Sequence, residues 1–312
     1  MRLKKIEIGK ITTSNNLFLA PLAGYTNAVF RNMCIRLGAG VTFTEMVNAK
    51  GLCFNSEGTK ELLQTAEGNA INACQLFGGE AEYIQRAACS EHLAPFGLID
   101  INMGCPVPKI FKNGEGSALM ANIPLAQSIV KAAKTSGKSV SVKFRTGLDG
   151  EHIITRDFAL AMEDAGADMI TVHGRTRDKM YSGEVDYKEI AAAKAAVKIP
   201  VIANGGVFCK ADADKLMDET GADGVMVARG AMYNPFVFAE ITGTQVADKK
   251  AVVKNQLDET FKEYDERFAT VYMRKMIAFY IKGQPNAAAV RVKLMGADNK
   301  REIEKILNSL SF

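Results

Sequence analysis

Three observations predict an α/β protein, a (β/α)8 (TIM) barrel followed by a small all-helical C-terminal domain. Eight short apolar runs recur along roughly the first 240 residues, helical patterns fill the intervals between them, and from about Thr244 strand patterns stop while helical ones continue.

The runs are Leu17–Leu22, Val41–Met46, Ile71–Phe77, Leu98–Met103, Ser139–Arg145, Met169–His173, Val201–Asn204 and Gly224–Ala228, with starts 23 to 41 residues apart. Runs apolar on both faces, spaced widely enough for a crossover helix, indicate parallel strands covered by helices. Glu80–His92, Leu125–Thr135, Asp157–Gly166 and Asp212–Gly221 have the helical pattern such crossovers need. Eight units in about 240 residues match the usual size of a barrel, and no GxGxxG follows the first run, as an open doubly wound sheet would favour. In the tail, Lys249–Ala269, Val271–Lys282, Ala287–Met295 and Asn299–Leu310 read as helices, broken at Gly283–Pro285 and Gly296–Asp298, with Asp298 an N-cap candidate. The expected domains are therefore residues 1–243 and 244–312.

Composition narrows the class. With 47% hydrophobic and 24% charged residues among 312, disorder, collagen and coiled coil are excluded. No apolar run of 18 residues lacks a charge, and Thr12–Asn16 separates the basic start from Leu17–Leu19, so neither a membrane span nor a signal peptide is expected. Six cysteines without paired spacing and three histidines argue against a disulfide framework or a His-based metal cluster, and favour reduced thiols in the cytoplasm. The net charge of +4 sits wholly in the tail: residues 244–312 carry 13 Lys/Arg against 9 Asp/Glu, whereas residues 1–243 balance at 26 each. Between Arg267 and Arg301 eight basic residues face a single acid, Asp298. Arg267 and Arg274, like Lys275 and Lys282, are seven apart and return to one helix face opposite Met273, Ile277 and Ile281, a pattern that favours a polyanionic partner.

In a barrel of this kind the reacting groups lie at the carboxyl ends of the strands, and here all eight runs end in polar residues or glycines. The first leads into Ala20–Asn27, the second ends in Glu45, the third carries Gln75 and the fourth gives Asp100–Pro106; the fifth carries Lys143 and Arg145, the sixth leads into His173–Arg177, the seventh into Asn204–Gly206 and the eighth into Ala228–Gly230. Gly-rich turns after strands seven and eight are where barrels commonly hold phosphate on backbone N–H groups; Gly205 and Gly206 admit the anion and Arg229 adds charge. Lys143, inside an apolar strand, is equally consistent with a Schiff-base lysine, a partner for a ligand oxyanion, or half of a buried ion pair. Cys105 is the one thiol in a strand-end loop beside an amide, Asn102, with Gly104 and Pro106 shaping the turn; it is the candidate functional cysteine. His173 is a candidate ligand contact.

Taken together these segments resemble bacterial-type tRNA-dihydrouridine synthases over essentially the full chain. The matching residues are Ala20-Pro-Leu-Ala-Gly-Tyr-Thr-Asn27, Thr44-Glu-Met46, Gln75-Leu-Phe-Gly78, Ile101-Asn-Met-Gly-Cys-Pro106, Gly114-Glu-Gly-Ser-Ala-Leu119, Val142-Lys-Phe-Arg145, Val172-His-Gly-Arg-Thr-Arg177, Asn204-Gly-Gly206 and Ala228-Arg-Gly230. The resemblance implies a flavin barrel with a helical tRNA-binding domain. It implies tightly bound FMN, with Pro21, Leu22, Ala23, Gln75 and Lys143 at the flavin ring and His173, Asn204, Gly205, Gly206, Ala228 and Arg229 around its phosphate. NADPH would be the reductant and Cys105 the proton donor. Gly206 and Ala228 depart from the family's frequent Asp and Gly at those positions, though backbone N–H donation survives both changes. Asn102, Arg145 and Arg175 are the expected contacts to the uridine side of the cleft, and Arg274, Lys275 and Arg291 to the RNA backbone. The chemistry fits these residue types: hydride adds to C6 of uracil, charge develops at C5 and O4, and a neutral thiol protonates C5. A flavin barrel acting on a free pyrimidine, as in dihydroorotate dehydrogenases, is the alternative, against which the basic tail argues.

Overall fold

The computed structural model describes residues 1–68 and 70–310. The eight expected runs form one closed, all-parallel barrel: β1 (Leu17–Leu19), β2 (Val41–Asn48), β3 (Ile71–Phe77), β4 (Leu98–Met103), β5 (Ser139–Arg145), β6 (Met169–His173), β7 (Val201–Asn204) and β8 (Gly224–Val227), with β8 pairing back onto β1. β1 stops three residues short of the apolar run because Pro21 has no N–H to donate to the ladder; Ala20 N still donates to Val227 O at 2.8 Å. β2 runs two residues longer than expected and shifts register between Phe43 and Met46.

Period-two alternation sorts each strand into an outer and an inner set. Outward residues such as Ile99, Ile101, Val140, Val142, Ile170 and Val172 pack against the surrounding helices in the main core. Inward residues Phe18, Phe43, Ala73, Leu98, Met169, Ile202 and Met226 form a separate apolar floor, into which Ile6 and Ile8 of a short N-terminal antiparallel ribbon (Glu7–Ile8 with Ile11–Thr12) insert. The same alternation continued up β4, β5, β6 and β7 places Asp100 and Asn102, Ser141 and Lys143, Thr171 and His173, and Asn204 inside the barrel. Polar side chains thus replace the apolar filling towards the carboxyl ends of the strands.

Four tail helices follow: α1 (Lys249–Glu263), α2 (Glu266–Tyr280), α3 (Ala287–Met295) and α4 (Lys300–Asn308). The continuous helix expected over Lys249–Ala269 breaks at Tyr264 because Asp265 accepts from Phe268 N and caps a new helix. Asn299, not Asp298, caps α4: its side chain accepts from Glu302 N, while the Glu302 carboxylate accepts from Asp298 N at 2.9 Å. Met273, Ile277 and Ile281 are buried, as the stripe pattern requires.

The tail is tied to the loop that leaves β1. Tyr272 Oη donates to Tyr25 O and Lys275 Nζ to Gly24 O, both at 2.6 Å. Glu45, on β2, accepts from Gly24 N, and burial raises its carboxyl pKa, with Lys275 opposing the shift. The same loop is held from below by fully buried Arg31, which donates to Thr26 O at 3.0 Å and to Gln64 O. No helix among the described residues is long and apolar enough to cross a membrane, and all six cysteines are free.

Candidate active site

A cleft of about 330 Å3 opens at the carboxyl ends of the strands. Pro21, Leu22, Ala23, Asn102, Cys105, Lys143, Arg145, His173, Arg175, Asn204, Gly205, Gly206, Ala228 and Arg229 all line it. Gln75 lies directly beneath the wall, fully buried and bonded to Asn102. Arg274, Lys275 and Arg291 are outside it.

One side of the cleft is suited to an anion. Gly205 and Gly206 have φ of +129° and +72°, a backbone path that disfavours any side chain. Gly230 brings the turn after β8 against the turn after β7 so closely that a Cβ there would fall 2.2 Å from Val207 O. Lys143, Arg145, Arg175 and Arg229 converge on this cleft, and none makes an ion pair within 4 Å among the described residues. Such a concentration of positive charge calls for a negative ligand. Burial and then Arg145 push Lys143 down to about 8, and its ammonium donates to Asn204 Oδ1 at 3.1 Å. The imidazole of His173 is held well below its ordinary range by burial and by Lys143, Arg145, Arg175 and Arg229, so it is neutral. Arg175 Nη1 lies 3.3 Å from His173 Nε2; a guanidinium can only donate, so Nε2 accepts and Nδ1 carries the proton.

The opposite side carries the thiol. Cys105 is 9% exposed and burial raises its pKa, against opposing contributions from Val107 N–H, Arg145 and Lys143, so the thiol stays protonated at neutral pH. Its loop is fixed at several points. Asn102 Oδ1 accepts from Cys105 N at 2.9 Å and from Gly104 N at 3.2 Å, Arg145 Nε donates to Gly104 O at 2.8 Å, and Ser117 Oγ donates to Cys105 O at 2.8 Å.

Several sequence expectations change character in three dimensions. Arg145 donates to Gly104, Thr176 and Met180 carbonyls, and Arg175 to the Ser182 and Gly183 carbonyls, so both brace loops while lining the cleft. Arg274 is committed to Met295 O, in the last residue of α3, and to Ala297 O just past it, at 2.9 and 2.8 Å, and Arg291 Nε to Ala278 O at 3.3 Å. Lys275 lies at the seam, 4.1 Å from the ring centre of Tyr25. Sequence reasoning did not single out Tyr181, Phe208, Met226 or Met232, which also line the cleft, or Tyr25, quoted only within a motif. Tyr25, Phe279, Tyr233 and Phe208 form a chain of ring contacts from the seam to the cleft, at 5.9, 5.4 and 6.2 Å, with Lys282 4.2 Å above Tyr233. Aromatics close in sequence to Lys and Arg, in loops for Tyr25, Tyr181 and Phe208 and at helix ends for Tyr233 and Phe279, were the available signal.

Fold and cleft define an enzyme of the (β/α)8 class whose polar groups converge on a ligand at the carboxyl ends of the strands. The chain matches the family described as dihydrouridine synthase over residues 18–311, and it belongs to that family. It is 35% identical over 287 residues to tRNA-dihydrouridine synthase B of Shewanella oneidensis, covering 88% of this chain and 89% of that one. It is 37% identical over 298 residues to a probable tRNA-dihydrouridine synthase of Rickettsia conorii, covering 92% and 90%. Among solved structures, a morphinone reductase variant in complex with tetrahydroNAD aligns with a TM-score of 0.56 at 13% identity, covering 77% of this chain and 90% of that one. An old yellow enzyme homologue from Zymomonas mobilis aligns with a TM-score of 0.53 at 13% identity, covering 81% and 95%. These two likenesses concern the fold.

Proposed function

We propose that the protein reduces the C5=C6 bond of specific uridines in tRNA to 5,6-dihydrouridine, using FMN reduced by NADPH, in the cytoplasm. The observation that carries the reading is a buried thiol, Cys105, lining a cleft that also holds two glycine-rich turns and four cations, Lys143, Arg145, Arg175 and Arg229, without an ion-pair partner within 4 Å among the described residues.

The residues present fit FMN. The backbone N–H groups of Gly205 and Gly206, with Arg229 and neutral His173, are a donor set for a phosphate, and Gly230 leaves no room for a side chain between the two turns. Lys143 would face the ring, where an ammonium favours a reduced, anionic flavin, and Pro21, Leu22 and Ala23 would pack against it. Bound there, FMN supplies the hydride for C6. Cys105 holds the proton for C5, and its raised pKa suits a general acid, which must be protonated to act. Asn102 Nδ2 keeps one hydrogen beyond its bond to Gln75, and that donor can take a uracil carbonyl on which charge develops.

A uridine inside folded RNA must leave its stack to reach this cleft. The aromatic and cationic chain of Tyr25, Phe279, Tyr233, Lys282 and Phe208 across the barrel–tail seam suits unpaired bases and phosphates beside the extruded nucleotide. A tail domain from about residue 244, carrying exposed Arg267, Lys293 and Arg301, would grip the RNA backbone. Incubating the protein with NADPH and unmodified tRNA should yield dihydrouridine by nucleoside mass spectrometry, and Cys105→Ala should reduce the yield by at least 100-fold. Equal turnover of free uridine would instead indicate a free-pyrimidine enzyme. An unchanged yield with Cys105→Ala would remove the proposed acid.

A further inference from the structure

Asp100 is the one acid inside the upper barrel, fully buried and without a salt-bridge partner within 4 Å among the described residues. Its surroundings form a single directed chain. Ser141 Oγ donates to Asp100 Oδ1 at 2.6 Å, and Gln75 Nε2 donates to Asp100 Oδ2 at 2.6 Å. Asn102 Nδ2 donates to Gln75 Oε1 at 2.8 Å, and Asn102 Oδ1 accepts from the backbone N–H groups of Cys105 and Gly104.

The direction is set from both ends. Backbone N–H groups can only donate, so Asn102 must turn its oxygen to the Cys105 loop and its nitrogen to Gln75. Gln75 must then turn its oxygen to Asn102 and its nitrogen downwards, where only an acceptor will satisfy it. A carboxylate has no hydrogen to offer and accepts at both oxygens. The strand register supports this geometry, since Gln75 pairs with Asp100 across β3 and β4, and Asn102 with Lys143 across β4 and β5.

We infer that Asp100 is a positioning residue: as terminal acceptor it fixes the orientation of the Gln75 and Asn102 amides, and through them the Cys105 loop and the single N–H that Asn102 retains. Its role in the reaction rests on the function proposed above, while its role in holding Cys105 does not. Asp100→Leu removes the acceptor at similar size. Asp100→Asn keeps it, because the new amide can accept from Gln75 while donating to Ser141.

The test compares iodoacetamide labelling of Cys105 by peptide mapping, with exposed Cys89 and Cys209 as internal references, and kcat and KM for dihydrouridine formation. Asp100→Leu should label Cys105 at least fivefold faster and lower kcat at least tenfold with KM within threefold of wild type. Asp100→Asn should return both to within threefold. Wild-type labelling and kcat in Asp100→Leu would overturn the inference. So would equal impairment of both variants, which would make charge, not acceptor geometry, the property that matters. If Asp100→Leu does not fold, Asp100→Ser serves, because a hydroxyl stays beside Ser141 but cannot span to Gln75. If the wild type makes no dihydrouridine, the functional reading fails, and the labelling comparison still decides the role of Asp100.

Discussion

Gly230→Ala tests whether the two glycine-rich turns form one phosphate cradle. The added Cβ would lie 2.2 Å from Val207 O, 3.1 Å from the Val207 carbonyl carbon and 3.2 Å from Phe208 Cα. All are backbone atoms, so no rotamer change relieves the contact. Ordinary van der Waals contact begins at 3.4 Å, so the turns after β7 and β8 would have to part by about 1.2 Å, at an overpacking cost of about 1–3 kcal/mol. The same shift draws Arg229 and the Gly205–Gly206 N–H groups out of register with a shared phosphate. Losing one charge-assisted hydrogen bond is worth about 1.5–3 kcal/mol, which is about a 10- to 150-fold loss of affinity. Fluorescence titration of the apoprotein with FMN should therefore show at least a tenfold higher Kd, with a melting temperature lowered by a few degrees. Unchanged affinity in a folded variant would refute the shared cradle.

Other outcomes follow from the same geometry. With burial raising the Cys105 thiol above its ordinary range, kcat should hold through neutral pH and show a falling alkaline limb as the thiol deprotonates; Cys105→Ser should slow the tRNA step at least 100-fold and remove the thiol's contribution to that limb, while NADPH still bleaches the flavin. Burial pushes Asp100 up to about 6 from 3.8, so ionising it costs stability that is lost as pH rises through that interval. Asp100→Asn should accordingly stabilise the protein by about 2–3 kcal/mol at pH 7 and hardly at pH 3.5, as measured by denaturant unfolding. Arg274→Ala should cost about 1–3 kcal/mol through the Met295 and Ala297 carbonyls and leave the salt dependence of tRNA binding unchanged, whereas Lys282→Ala should lower that slope by about 0.7–0.9 with stability intact.

The barrel was legible because its strands are short, apolar on both faces and regularly spaced; β3, β4, β5, β6 and β7 begin and end where their apolar runs do. The cleft was legible for a related reason. Position on a strand and period-two alternation decide which residues reach the mouth, so Lys143, His173 and Asn204 could be placed from their own strands. What alternation cannot supply is the partner. The bonds from Gln75 to Asp100 and from Asn102 to Gln75 depend on register across strands more than 20 residues apart in sequence. Arg274 and Arg291 looked like free cations because carbonyls 13 to 23 residues away leave no mark on local charge. The break at Tyr264 was missed because Asp265 reads equally well as a helix-surface acid until its cap with Phe268 is seen. Tyr181 and Phe208 sit in loops, where no periodicity marks a residue as facing a site.

The central claim, that this barrel reduces tRNA uridines with flavin electrons through Cys105, is tested most directly by anaerobic absorbance spectroscopy of the reconstituted protein. Visible flavin absorbance should bleach with NADPH and return on adding unmodified tRNA, much more slowly in Cys105→Ala. A protein that takes up no flavin, or one whose reduced flavin is reoxidised by free uridine but not by tRNA, would contradict the account.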